Sequence, residues 1–312
     1  MKIIYLHQYF NTPTMAGGTR SYEMARRLTA AGHEVHMVTS WRKDDNRRGW
    51  YRTEDAGIQV HWLPVPYSNR MKYPARIKAF CRFAFAAARK AASLGGDIIF
   101  ATSTPLTIAL SAVYAARRNR IPMVFEVRDL WPEVPIAVGA LKSPVLKMAA
   151  RWLERFAYHN SRHIVVLSPG MKEGVIKTGY PAERVTVIPN GCDIDFFNTG
   201  PEPGKLLRQQ YPWLQDRPLV IYAGTIGTVN GVDYLARIAA AVGDLDKEVR
   251  ILIIGEGIGE KKLHQEAKKL GVVGNNLFVM PKIPKEFMPG WLAAADMAFS
   301  VFIDTKAMWA NS

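Results

Sequence analysis

The chain has 312 residues, of which 48% are apolar, and its 41 lysines and arginines exceed its 27 aspartates and glutamates to give a net charge of +14. This length and apolar content argue against a disordered protein and favour two domains. The positive charge favours nucleic acid, anionic lipid or phosphorylated substrates as partners, without choosing among them.

The amino-terminal residues predict a cytoplasmic protein. Residues 1–5 run straight into an apolar strand rather than into a secretion signal, and only two cysteines occur, Cys81 and Cys192. Both features favour the reducing cytosol. The one long uncharged window, 98–116, is interrupted at 102–105 and is better explained by a strand, a turn and a helix than by a membrane span. Any membrane role is therefore expected to be peripheral.

The first half of the chain alternates apolar runs with helical patterns, which is typical of a parallel sheet with crossover helices. The predicted strands are 2–7, 34–39, 97–101, 122–127 and 163–167, and the predicted helices include 19–31 and 106–118. Gly32 is expected to end the first helix in the left-handed conformation. Pro105 and Pro169 are expected to be first helical residues after the caps Thr104 and Ser168.

One segment of the first half carries a concentrated positive charge. No acidic residue occurs between Asp55 and Asp97, whereas the basic residues there are Arg70, Lys72, Arg76, Lys78, Arg82, Arg89 and Lys90. At about 100° per residue, one helix face collects Ile77, Phe80, Cys81, Ala84, Phe85, Ala88, Ala91 and Ala92. The opposite face collects Arg76, Lys78, Arg82, Arg89 and Lys90, with Phe83 among them. We predict that this basic face contacts anionic membrane. The alternative is a solvated surface behind a packed apolar stripe.

A second α/β domain begins after the turn at 189–191 and the linker-like segment 201–204. Its predicted strands are 219–223, 250–254, 277–280 and 297–302, and its predicted helices are 232–242 and 260–270. The predicted domains are therefore residues 1–198 and 199–312. Because a Rossmann-like half normally closes with further strands and helices, the second domain is expected to be truncated at its carboxyl end.

The loop after the first strand, residues 9–20, contains two glycines immediately before a helix. Gly17 and Gly18 would let the backbone approach a ligand, and the helix amino terminus with Arg20 would attract a phosphate or an acceptor. The loop does not follow the pattern G-x-G-x-x-G, so a nicotinamide oxidoreductase loses its main support. A plain glycine turn is the alternative.

Residues 126–133 follow a buried strand at its carboxyl end, where open α/β sheets bind ligands. Arg128 and Asp129 are candidates for binding hydroxyls or phosphate, and Trp131 is a candidate for covering a sugar face. A salt-bridged structural turn is the alternative.

In the second half, the loops 222–231 and 254–257 each join a strand to a helix and could line a nucleotide crevice or be ordinary turns. The predicted donor-binding residues are Gly224, Thr225, Gly227, Asn230, Gly255, Glu256 and Gly257.

Five short motifs occur in a characteristic order along the chain. They are the Gly17–Gly18 loop, Asp-Leu-Trp-Pro at 129–132, Ile-Pro-Asn-Gly at 188–191, Tyr-Ala-Gly at 222–224 and Ile-Gly-Glu-Gly at 254–257. In this order and spacing they resemble the retaining glycosyltransferase family 4 over essentially the whole chain. The likeness is strongest to bacterial transferases that build O-antigen, capsule or colanic acid.

The resemblance implies a GT-B fold, in which two Rossmann-like domains face a cleft. It implies a nucleotide-sugar donor, expected to be a UDP-sugar, and a lipid-linked glycan acceptor. For such a reaction we predict, from their place after a strand, that Asp129 and Arg128 are catalytic and orient the reacting hydroxyl or sugar. No metal or other cofactor is expected, because backbone amides and basic side chains neutralise the leaving diphosphate. Thr225 and Asn230 depart from the family, since many members carry Arg and Lys there. The family's paired acidic residues would lie at or beyond the end of this chain.

Three other functions compete with this interpretation. A nucleotide-sugar 2-epimerase would share the two-domain fold, and a non-catalytic membrane-associated subunit would suit an incomplete second domain. Nucleic-acid binding ranks last, because the basic segment lacks the repeated exposed aromatics of single-strand readers. The expected location is the cytoplasm, on the inner face of the cell membrane.

Overall fold

The computed structural model describes residues 1–15, 17–68, 71, 73–137, 139 and 141–309. Arg70 and Lys72 of the predicted basic segment lie outside these residues. The described chain forms two compact units, the first built from residues 1–12, 19–190 and 305–309 and the second from residues 13–18 and 191–304. The two units are defined by how compactly their segments pack, and they do not test the predicted domain bounds 1–198 and 199–312, which stay a prediction.

The first unit contains an eight-stranded sheet. Its strands are β1 (Lys2–Leu6), β2 (Glu34–Trp41), β3 (Tyr51–Asp55), β4 (Ile58–Pro64), β5 (Ile98–Thr102), β6 (Met123–Val127), β7 (His163–Val166) and β8 (Val185–Val187). Their order is β3-β4-β2-β1-β5-β6-β7-β8, and only the β3–β4 pair is antiparallel. The β3–β4 hairpin, with Ala56 and Gly57 at positive φ in its turn, was not predicted from the sequence. Its edge strand is polar and lacks the apolar run of the other strands.

Helices connect the strands and cover the sheets. In chain order they are α1 (Arg20–Ala30), α2 (Tyr73–Leu94), α3 (Ile108–Asn119), α4 (Glu133–Ala137), α5 (Pro144–His159), α6 (Pro169–Lys177), α7 (Ile194–Phe197), α8 (Glu202–Gln210), α9 (Tyr234–Leu245), α10 (Glu260–Lys269), α11 (Met288–Ala294) and α12 (Lys306–Trp309). The cap at Ser168 is confirmed, because its Oγ accepts a hydrogen bond from the Met171 N–H at 3.1 Å. The left-handed stop at Gly32 is also confirmed, with φ +84°. The helix start at Pro105 is wrong, since α3 begins only at Ile108.

The second unit contains a parallel sheet whose described strands are β9 (Leu219–Ala223), β10 (Arg250–Ile254), β11 (Leu277–Met280) and β12 (Met297–Ala298), in the order β11-β10-β9-β12. The first three match the predicted strands. The fourth is shorter than predicted, because pairing with β9 ends after Ala298 and the chain turns toward Val229, whose carbonyl accepts the N–H of Ile303 at 2.9 Å. The α/β class is confirmed in both units.

The face that α2 turns toward the core differs from the predicted one. The buried residues of α2 are Ala79, Phe83, Ala84, Ala87 and Ala91. Phe83, predicted on the outer basic face, is fully buried, whereas Ile77, Cys81 and Phe85, predicted to face inward, are exposed. The wheel weighed side chains by hydrophobicity, but close packing of α2 against α3 selects small residues. The Ser111 hydroxyl of α3 even reaches the Ala84 carbonyl at 2.7 Å.

Two structural findings concern the predicted peripheral membrane role and the reduced state of the cysteines. In the part of the chain that the structure describes, no helix combines the length and apolarity needed to cross a bilayer. Cys81 and Cys192 are both exposed and form no disulfide.

Truncating Phe83 and Phe85 to alanine should separate the two faces of α2. Phe83→Ala removes a fully buried ring and should lower the free energy of unfolding by about 3–5 kcal/mol. Phe85 is 63% exposed, so Phe85→Ala should change it by less than about 0.5 kcal/mol. Urea unfolding of both variants measures the difference, and equal losses would contradict the observed orientation of α2.

Candidate active site

Polar side chains gather where the central strands of the first unit end. The chain leaves β1 toward β2 on one side and leaves β5 toward β6 on the other, so the gap between β1 and β5 is a topological switch point, where open α/β sheets bind ligands. The residues that follow these strand ends are His7 and Gln8 after β1, Ser103 and Thr104 after β5, and Arg128 and Asp129 after β6.

A buried ion pair supports this edge of the sheet. The Glu126 side chain is fully buried, and its Oε1 accepts a hydrogen bond from the Arg20 Nε at 2.9 Å, while its Oε2 accepts one from the Thr102 hydroxyl. The other two nitrogens of Arg20 donate to the carbonyls of Ile188 at 2.9 Å and Pro189 at 2.7 Å. Arg20 is therefore held by three protein acceptors, and its predicted contact with phosphate or acceptor stays a prediction.

The loops after β5 and β6 fix each other and thereby position Asp129. The Thr104 hydroxyl donates to Asp129 Oδ2 at 3.0 Å, and the Ser103 hydroxyl accepts the Arg128 N–H at 2.8 Å. Thr104 has φ +82°, a conformation that costs a β-branched residue about 1–3 kcal/mol and that persists where the surroundings impose it. The carboxylate of Asp129 thus has a defined place at the carboxyl edge.

Two buried residues directly after β1, His7 and Gln8, were missed by sequence reasoning. Burial, followed by the charges of Arg128 and Arg42, lowers the pKa of His7 well below its ordinary value, so its imidazole is neutral. Within the described ranges, His7 Nδ1 and both polar atoms of the Gln8 amide are buried without a hydrogen-bond partner. Buried polar atoms without a partner in the protein make these two residues candidates for contact with a ligand or an ordered water. The available signal was their place directly after the first parallel strand.

The structure constrains the surroundings of the other predicted residues of the first half. Trp131 is half-buried and packs against the core, and its contact with a sugar stays a prediction. Leu130 is buried against Gly174 of α6. Gly17 has φ +135°, a conformation that favours glycine, and it groups with Gly18 in the second unit. The ligand role of these two glycines also stays a prediction.

The predicted donor residues lie in two loops that touch each other at the carboxyl ends of β9 and β10. A Cβ on Gly255 would lie 1.8 Å from the Gly224 carbonyl oxygen, and one on Gly257 would lie 2.2 Å from the Ile226 carbonyl oxygen. The Ile226 N–H donates to the Glu256 carbonyl at 3.0 Å. Glycine is therefore required by loop-to-loop contact, independently of any ligand.

The remaining donor candidates surround this pair of loops. Gly227 and Asn230 belong to the first loop, where the Asn230 N–H donates to the Gly227 carbonyl at 3.3 Å, and Thr225 is exposed there. Glu256 forms an ion pair with Lys282 at 3.1 Å, which places a basic residue that the sequence analysis did not single out beside the second loop. The structure brings the predicted donor residues together, and their contact with a donor stays a prediction.

Over the described residues, no group of three or more His, Cys, Asp or Glu side chains is close enough to hold a metal ion. That the reaction proceeds without a metal or other cofactor remains an expectation from the family resemblance.

Two α/β units, each with a largely parallel sheet and with polar or glycine-rich loops at the carboxyl ends of its strands, define a GT-B type glycosyltransferase fold. Residues 16–191 match the model described as Glycosyl transferase 4-like domain, and residues 205–301 match that of Glycosyl transferases group 1. The chain belongs to the glycosyl transferase 4-like family, and it is a glycosyltransferase.

Named relatives and solved structures agree with this assignment. The chain is 24% identical, over 91% of its length and 73% of the relative's, to the proposed colanic acid biosynthesis glycosyl transferase WcaI of Escherichia coli strain K12. Its fold is similar to Anabaena Alr3699/HepE in complex with UDP-glucose, with a TM-score of 0.65, 18% identity, and coverage of 100% of this chain and 78% of that one. It is also similar to WaaG, a glycosyltransferase involved in lipopolysaccharide biosynthesis, with a TM-score of 0.67, 17% identity, and coverage of 99% and 78%.

The contact between Leu130 and Gly174 tests how tightly the Asp129 loop is supported. A Cβ on Gly174 would lie 2.6 Å from Leu130 Cδ1, so Gly174→Ala should displace Leu130, cost about 1–3 kcal/mol of stability and reduce turnover. The control is Gly290→Ala in α11, because the added Cβ would meet only Leu207 of α8, at an ordinary contact distance of 3.6 Å. This substitution should be neutral or should stabilise the protein by up to about 1 kcal/mol. Thermal unfolding and transfer assays compare the two variants, and equal effects would contradict the tight packing of Gly174 against Leu130.

Proposed function

We propose that the chain transfers a sugar, with retention of anomeric configuration, from a UDP-sugar to a lipid-linked glycan in polysaccharide biosynthesis. The observation that carries the proposal is the half-buried Arg128 guanidinium next to the fixed carboxylate of Asp129. Among the described residues, this guanidinium has no hydrogen-bond or ion-pair partner. A cation without a protein partner at a switch point is available for an anionic or hydroxyl-rich substrate.

The donor half of the proposal rests on the second unit and on its relatives. The solved HepE structure contains UDP-glucose. In this chain the two touching glycine loops expose backbone at the carboxyl ends of β9 and β10. Thr225 and Asn230 supply neutral hydrogen-bonding groups to the donor diphosphate, and Lys282 adds a positive charge close to Glu256. These neutral hydrogen-bonding groups and one lysine would stabilise the negative charge of the leaving diphosphate.

The reaction half rests on the first unit. The Asp129 carboxylate, held by Thr104, orients the reacting hydroxyl of the acceptor or sugar, and the Arg128 guanidinium stabilises negative charge that develops during transfer. The neutral His7 imidazole and the Gln8 amide supply further hydrogen bonds to sugar hydroxyls without adding charge. The names of WcaI and WaaG support a cell-surface glycan as the acceptor.

Replacing Asp129 by asparagine tests the assigned role. Asp129→Asn keeps the shape of the side chain and an acceptor for Thr104 but removes the charge, so we expect turnover to fall by at least about a hundredfold with folding unchanged. The assay measures transfer from radiolabelled UDP-sugars to a bacterial lipid extract, with circular dichroism as the folding check. The exposed Asp216→Asn is the charge-matched control and should keep full activity. Normal turnover in Asp129→Asn would remove Asp129 from the mechanism.

The same assay without acceptor separates the competing functions. A nucleotide-sugar 2-epimerase would convert the labelled donor when no lipid extract is present, and a non-catalytic subunit would convert it under neither condition. Transfer that requires the extract supports the proposed glycosyltransferase.

We further propose that α2 holds the chain on the inner face of the anionic cytoplasmic membrane. Of the five basic residues predicted for this surface, Lys78, Arg82 and Arg89 are exposed, whereas Arg76 and Lys90 are half-buried. Arg76 lies over the Tyr67 ring and Lys90 over the Trp50 ring.

The exposed Phe85 lies among the three outward basic residues, with the Arg89 guanidinium 4.1 Å from its ring centroid. Basic groups around an exposed aromatic suit the interface between lipid headgroups and acyl chains.

Vesicle binding tests this surface. The variant Lys78→Gln/Arg82→Gln/Arg89→Gln should bind vesicles with anionic lipid about a hundredfold more weakly at low salt, because each basic residue contributes about 1 kcal/mol near such a surface. High salt should weaken wild-type binding. Lys261→Gln/Lys268→Gln/Lys269→Gln on α10 removes the same charge elsewhere and serves as control. If the control lost as much binding as the α2 variant, net charge rather than α2 would explain attachment.

A further inference from the structure

A groove with four arginines lies at the edge of the first unit opposite to its strand carboxyl ends. It has a volume of about 370 Å³ and opens where β6 and β7 begin, between the end of α3 and the segment that precedes β8. Its charged lining consists of Arg117, Arg120, Arg162 and Arg184, and the His159 ring also lines it. Because the candidate active site is at the carboxyl ends of the strands, this groove is not part of it.

Three separate chain segments deliver these four guanidinium groups. Arg117 lies in the last turn of α3, where one of its guanidinium nitrogens donates to Asn160 Oδ1 at 2.6 Å. Arg120 ends the same helix with φ +56°. Arg162 immediately precedes β7, with its N–H donating to the Met123 carbonyl at 2.7 Å, and Arg184 ends the short helical turn before β8. The backbone positions of the four arginines are thus set by regular structure.

The groove has a surplus of positive charge. In the described parts of the chain, the side chains of Arg120, Arg162 and Arg184 form no hydrogen bond or ion pair. Glu183, the acidic neighbour of Arg184 in sequence, forms no ion pair within the same residues. Like charges around one concave surface repel each other and create a positive potential that attracts anions.

We propose that this groove binds a ligand with two or more linked phosphate groups. Guanidinium groups bind phosphate oxygens in a bidentate manner and keep their charge at every physiological pH. The three guanidiniums without protein partners and Arg117 carry four positive charges, about twice the negative charge of a single phosphate group at neutral pH. The ligand is therefore a diphosphate or polyphosphate, which either is free in solution or forms the headgroup of a lipid.

Calorimetric titration with inorganic pyrophosphate tests the site on the full chain. We expect Arg162→Gln/Arg184→Gln to bind one pyrophosphate fewer per chain than the wild type, or to bind it at this site at least tenfold more weakly. A diphosphate-binding donor site in the second unit would be unchanged by this variant, so failure of the donor proposal and failure of this one give different isotherms.

The control is Arg48→Gln/Arg52→Gln, which removes the same charge around β3, at the far edge of the sheet. It should bind pyrophosphate as the wild type does. Identical isotherms for all three proteins, or an equal loss in the control, would overturn the proposal. Thermal unfolding verifies folding, and the single variant Arg120→Gln replaces the double variant if the latter unfolds.

Vesicle flotation identifies the source of the phosphates. Neutral phosphatidylcholine vesicles with and without a prenyl diphosphate are compared, and inorganic pyrophosphate is added as competitor. Capture only by diphosphate vesicles, lost in Arg162→Gln/Arg184→Gln and on competition, assigns a lipid headgroup. Pyrophosphate binding in solution with no vesicle capture assigns a soluble ligand. Absence of binding in both arms would refute the site.

Discussion

The buried ion pair between Arg20 and Glu126 is the interaction on which the arrangement of the first unit depends. Taking both charges out of water is costly, and the cost is met only because every polar group of the pair has a partner: Thr102 for the carboxylate and two carbonyls after β8 for the guanidinium. The pair thereby joins the start of α1, the end of β6 and the end of the sheet. The loops that carry His7 and Asp129 emerge directly beside it.

The sequence predicts the strand framework well because parallel strands buried on both faces are continuous apolar runs. It predicts the β3–β4 hairpin and the inner face of α2 poorly, for two different reasons. The edge strand is polar, so it lacks that run, and the α2–α3 contact selects alanines that a hydrophobicity wheel undervalues beside Phe85. Side-chain size at a helix contact depends on the neighbouring helix, which no local pattern contains.

The candidate sites show the same limit. The motif residues Arg128 and Asp129 were found because charges after a strand stand out. His7 and Gln8 belong to no motif and become significant only through the burial of their unpaired polar atoms. The glycines of the second unit were singled out because they would let a ligand approach the backbone, and the structure adds a second reason for glycine at these positions. Contact between the loops already requires Gly255 and Gly257, so their presence alone does not demonstrate ligand binding.

That contact between loops also has a dynamic consequence. Because Gly224 and Gly255 meet backbone to backbone, with no side chain between them to change rotamer, neither loop can shift far without carrying the other. The two loops therefore behave as one rigid platform. A ligand that touches either loop finds both already ordered. Binding therefore costs less loop conformational entropy than it would with two independent loops.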